Sequence, residues 1–101
     1  MPEETVGENY DYTMFSGSWY LNGDIHSESC IEFDATGTIW SLYKRGADGF
    51  LSGVNGGTLR VTGENRYEAV SDWYDGETFD CYLEDDMLYW GSEDGGYEVY
   101  Y

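Results

Sequence analysis

Phe15-Ser16-Gly17-Ser18-Trp19-Tyr20-Leu21 puts a Gly-x-Trp-Tyr at the start of the first convincing strand, and each later segment reads as another short strand beside it. That first strand covers Met14–Asn22, and Gly23-Asp24 turns the chain. Glu28–Asp34 alternates, with Ile31 and Phe33 on one face and Glu32 and Asp34 on the other. Asp34-Ala35-Thr36-Gly37 is a tight-turn signature, and it feeds Thr38–Lys44, where Trp40 and Leu42 oppose Ile39 and Tyr43. Phe50–Val54 and Thr58–Thr62 read as two strands joined by the hairpin signal Asn55-Gly56-Gly57. Arg66–Trp73 places Tyr67, Ala69, Ser71 and Trp73 on one face. After Asp75-Gly76, the stretch Glu77–Leu83 does the same with Phe79, Cys81 and Leu83. Glu84-Asp85-Asp86 turns into Met87–Gly91, and Ser92–Gly96 turns into Tyr97–Tyr101.

Turns every eight to twelve residues and no helical period predict an all-β protein, an antiparallel up-and-down meander of eight or nine short strands. The single proline is Pro2, so no strand is barred from a central ladder position. A meander this long curls, and closing or nearly closing into a barrel removes its exposed edges. Residues 1–12 lack periodicity and carry Glu3, Glu4, Glu8 and Asp11, which reads as a flexible acidic leader; residues 13–101 read as one β-barrel domain.

The chain has 101 residues, enough for one economical core, and 19% of them are aromatic, so each strand can bury a large area with few side chains. Four basic residues against 21 acidic ones give a net charge of −17. A field of that sign argues against binding a nucleic acid backbone or an anionic membrane surface. No apolar run approaches membrane-spanning length, and Met1-Pro2-Glu3-Glu4 has neither the basic start nor the hydrophobic region of a signal peptide. Cys30 and Cys81 allow one intramolecular pair. Bridged, they close a loop of about 50 residues, worth roughly 4 kcal/mol in the chain-entropy model. Unbridged, they are two buried thiols.

Three segments carry a family resemblance. They are Gly17-Ser18-Trp19-Tyr20, then Ile31-x-Phe33-Asp34-Ala35-Thr36-Gly37-Thr38-Ile39-Trp40, then Tyr82-Leu83-Glu84-Asp85-Asp86-Met87-Leu88-Tyr89-Trp90. Over residues 14–101 the chain resembles the small lipocalin-like domains of bacterial surface lipoproteins. The resemblance implies an extracellular, often lipid-anchored barrel whose Gly-x-Trp packs at the closed end. It implies a small apolar ligand, if any, among the inward aromatics. A late Arg stacking on that Trp, common in lipocalins, has no counterpart after Arg66.

The aromatics Trp19, Phe33, Trp40, Trp73, Phe79 and Trp90 are therefore expected as core or ligand-facing residues, and any Trp found on the outer face would mark a recognition surface. Catalytic chemistry finds little footing. Among 21 acids some glycosidase-like carboxylate pair always looks plausible. His26, the only histidine, lies in a polar loop with Asp24, Ser27 and Glu28, where a preorganised triad is not expected. One His and two distant Cys do not make a zinc site. Asp72, Asp75, Glu77 and Asp80 around one turn, with Glu84, Asp85 and Asp86 at the next, could offer Ca²⁺ hard oxygen ligands, although their spacing matches no EF-hand loop. A solvated acidic rim explains the same residues. The expectation is a monomeric, non-enzymatic extracellular binding module for a small apolar ligand, a glycan or a protein partner. Two alternatives stand beside it: a carbohydrate-binding β module that stacks sugars on outward Tyr and Trp, and a cytoplasmic acidic mimic of nucleic acid with carboxylates on one face. Acids spread over every turn weaken the mimic.

Overall fold

The structure, a computed structural model, describes residues 12–92 and 95–101. Most of the acidic leader expected over residues 1–12 lies outside the described residues. Its last member, Tyr12, belongs to the folded body. The Tyr12 hydroxyl accepts a hydrogen bond from the Val61 amide at 3.2 Å, and its ring meets Tyr67 edge-on at 6.1 Å.

Among the described residues eight strands follow a 3₁₀ turn at Thr13–Phe15: β1 (Gly17–Tyr20), β2 (Ser29–Phe33), β3 (Ile39–Arg45), β4 (Leu51–Gly63), β5 (Arg66–Ser71), β6 (Thr78–Glu84), β7 (Met87–Ser92) and β8 (Gly96–Tyr100). They form one antiparallel sheet in chain order, the expected up-and-down meander. The sheet curls until its ends meet. Leu21, just beyond β1, bridges Tyr100 of β8, with amide-to-carbonyl bonds from Tyr101 to Tyr20 (2.9 Å) and from Asn22 to Val99 (2.9 Å). The seam is short, so the barrel is nearly closed.

Two local expectations are corrected. Met14 and Phe15 belong to the 3₁₀ turn, and β1 starts only at Gly17. Asn55-Gly56-Gly57 is no hairpin: β4 runs straight through it, with a bulge opposite Leu42 and Tyr43. Glycine is needed there for close approach. A Cβ on Gly57 would lie 1.8 Å from the Val70 carbonyl oxygen of β5. The same residue types that mark a tight turn here let two backbones touch inside a strongly coiled sheet.

Alternation builds the core. Paired residues share a face, so the row Trp19–Ile31–Leu42 and the row Phe33–Trp40–Gly57–Ser71 both point inward. Trp40, Tyr67, Tyr100, Phe15, Ile31 and Leu88 are fully buried. The 3₁₀ turn plugs one end of the barrel, inserting Phe15 between Phe33 (5.2 Å) and Tyr67 (4.8 Å). The other end, where β3 and β7 finish and β8 begins, is open.

Candidate functional site

At the open end, Trp90, Phe79 and Leu42 floor a cup of about 350 Å³. The floor is rigid aromatic packing: Phe79 stacks on Trp90 at 5.3 Å, and Trp40 meets both edge-on, at 5.9 Å and 5.1 Å. The Trp40 indole N–H donates to the Thr58 carbonyl at 2.9 Å, so its burial leaves no orphan donor.

Two charged residues enter this cup from the inner rows. Lys44 follows Trp40 and Leu42 on the inward face of β3, and Glu98 is paired with Trp90 across β7 and β8. The other three basic residues are engaged. Arg45 donates to the carbonyls of Ser27, Gly49 and Ile25 (2.9, 2.7 and 2.9 Å) and so fastens the loops at this end. Arg60 pairs with Glu68, and Arg66 lies 5.0 Å above the Tyr82 ring. The Lys44 side chain makes no ion pair or hydrogen bond among the described residues. Tyr100 lines the cup beside Glu98. Burial pushes its phenol up to about 12, the hydrogen bond with Ser29 opposing this and Glu98 adding to it.

The expected aromatic set divides. Phe33, Trp40 and Trp90 are buried, and Phe79 is half-buried against them. Trp19 is half-buried near the plugged end, its indole N–H donating to the Phe15 carbonyl at 2.7 Å. Trp73 is not core: it is 56% exposed. Strand β5 stops at Ser71 because that hydroxyl accepts the amide hydrogens of Trp73 (3.1 Å) and Tyr74 (3.0 Å), turning the chain off the ladder. Ser71 in turn donates to Asn55 Oδ1 at 2.6 Å, and Asn55 Nδ2 donates to Glu77 at 2.8 Å. This polar hub, buried at Asn55 and Ser71, holds the Trp73 loop.

The acidic residues are not brought together. Asp72, Asp75 and Glu77 precede β6 at the open end, whereas Glu84, Asp85 and Asp86 follow it at the plugged end. A seven-residue strand separates the groups, a span of about 20 Å. Asp80 lies between them, in a cleft with Arg66. Among the described residues no three His, Cys, Asp or Glu side chains converge to hold a metal ion. The Asp34 carboxyl is lowered, held down by the Thr36 hydroxyl and the amides of its tight turn.

The disulfide considered for Cys30 and Cys81 is not formed; both thiols are free and buried. They stand on non-adjacent strands and opposite faces. Cys81 pairs with inward Tyr67 and Trp90, while Cys30 lies in the outward row of Tyr20 and Tyr43. Burial pushes both thiols up. His26 is exposed, and the Ser27 hydroxyl beside it donates to the Ser29 carbonyl at 2.9 Å. Sequence reasoning missed the outer aromatic stack of Tyr82 on Tyr89, 4.8 Å apart and 1° from parallel, which register alone brings together.

No helix among the described residues is long and apolar enough to cross a membrane. Compared with protein-family models, curated proteins and solved structures, the chain has no significant match.

Proposed function

We propose that the chain is a monomeric, non-enzymatic binding module of lipocalin-like type that holds a small amphiphile in the open cup. The apolar body rests on Trp90, Phe79 and Leu42, and the polar head meets Lys44 and Glu98. The observation that carries this reading is the inward placement of two charged side chains, not ion-paired to each other, above an aromatic floor. Both side chains stay exposed at the mouth of the cup, so each keeps its hydration while standing over apolar groups. A concave site of a few hundred Å³ with an apolar lining and few polar groups is how small-ligand pockets are built. Action at the cell surface belongs to the same proposal and rests on the resemblance of residues 14–101 to bacterial surface domains. Carboxylates at both ends of the barrel, and not on one face, count against a nucleic-acid mimic.

Isothermal titration with octanoate and octylamine tests the reading. The expected result is saturable one-to-one binding of octanoate, weakened about fivefold or more by Lys44→Met. Absence of saturable binding for both probes would overturn it.

A further inference from the structure

The outward Trp73 belongs to a second surface, on the far side of the sheet from the cup. Two outward rows cross β4: Tyr20–Cys30–Tyr43–Gly53 and Ser18–Glu32–Ser41–Gly56. The indole of Trp73 lies over both glycines. A Cβ built on Gly53 would meet its ring at 4.0 Å, and one built on Gly56 would meet Nε1 at 3.5 Å. From the other side, the Tyr43 ring comes within 3.7 Å of that same Gly53 position. The two rings thus adjoin across a glycine floor with no side chain between them. Beyond Tyr43 the surface dips into a shallow cleft of about 230 Å³, walled by Tyr20 and Leu51 and edged by the Glu32 carboxylate.

This surface is held before any ligand arrives. The Ser71–Asn55–Glu77 hub fixes the loop, and the Asp72 amide donates to the Gly56 carbonyl at 2.7 Å immediately before Trp73. An exposed aromatic held in place loses little freedom on binding.

Charge and chemistry select the occupant. A net charge of −17 and Glu32 at the edge repel an anionic polymer. The Glu32 carboxylate accepts from the Ser18 hydroxyl at 3.1 Å and keeps further acceptor capacity, which a purely apolar partner would desolvate without using. A pyranose ring answers both demands, with an apolar C–H face for the indole and hydroxyls that donate to a carboxylate. We infer that the Trp73–Tyr43 face is a binding site for an uncharged saccharide, separate from the cup.

Native affinity electrophoresis of the full chain tests this. The gels contain hydroxyethylcellulose, galactomannan or soluble starch, with polygalacturonate as the anionic control and a lysine-rich peptide in a parallel titration. The expected result is retardation by at least one neutral polysaccharide and none by polygalacturonate. Trp73→Ala should weaken the interaction about tenfold or more, Tyr43→Ala should weaken it less, and Lys44→Met should leave it unchanged. Migration unaffected by all three neutral polymers, or retardation equal in wild type and Trp73→Ala, would overturn the assignment. So would a Trp73-dependent interaction with the basic peptide in place of the sugars.

Discussion

The hydroxyl oxygens of Ser29 and Tyr100 lie 2.8 Å apart inside the barrel, joining residues 71 positions apart in the chain. They sit on β2 and β8, so this bond reaches past β1 and ties the seam from within, beside the Leu21–Tyr100 bridge. Tyr100→Phe leaves the fully buried Ser29 hydroxyl without its partner, which costs about 1–2 kcal/mol. Thermal melting of Tyr100→Phe, Ser29→Ala and the double variant checks the pairing. The double variant should be less damaged than the sum of the two single changes.

The same burial sets an alkaline limit. Tyr100 holds its proton up to about 12 against an ordinary 10.0, and Cys81 is also raised from its ordinary 9.0, in both cases mainly through desolvation. The unfolded chain releases these protons first, so it gains relative stability as pH rises. The barrel should keep this part of its stability in full below about pH 9 and lose it progressively toward pH 12. Urea midpoints measured from pH 7 to 11 should fall over that upper range, less steeply for Tyr100→Phe.

Burial ranks the tryptophans. Trp40 is fully enclosed and touches Phe79 and Trp90, so Trp40→Ala should cost about 3–5 kcal/mol and leave little folded protein. Trp19, half-buried, should cost less. Trp73→Ala should stay within about 0.5 kcal/mol of the parent. Chemical denaturation of the three variants gives the order directly.

Free thiols predict a specific labelling pattern. Native protein should resist alkylation at both cysteines, because each is buried and its thiolate disfavoured. Unfolded protein should take two labels without reductant, and the melting temperature should not change when reductant is added. A single mass unaltered by alkylation under unfolding conditions would mean a bridge.

Period-two alternation carried the architecture. Ile31 with Phe33, Trp40 with Leu42, and Phe79 with Cys81 all fall on the inward face that spacing predicts. What failed depended on distant partners. Asn55-Gly56-Gly57 has the local chemistry of a hairpin, and only the approach of Val70 shows why glycine stands there in mid-strand. The alternation of Tyr67, Ala69 and Ser71 continues formally to Trp73, but Ser71 diverts the chain with hydrogen bonds that no periodicity reveals. Lys44 already sat on the Trp40 and Leu42 face by spacing alone. That Glu98 joins it follows from the β7–β8 register, which pairs Glu98 with Trp90.

Amide chemical-shift mapping by NMR during an octanoate titration addresses the binding proposal most directly. Perturbations should cluster at Lys44, Gly91, Gly96 and Glu98, together with the Trp90 indole, and saturate together. Shifts centred instead on Tyr12, Phe15 and Trp19 at the plugged end, or none at all, would contradict the account.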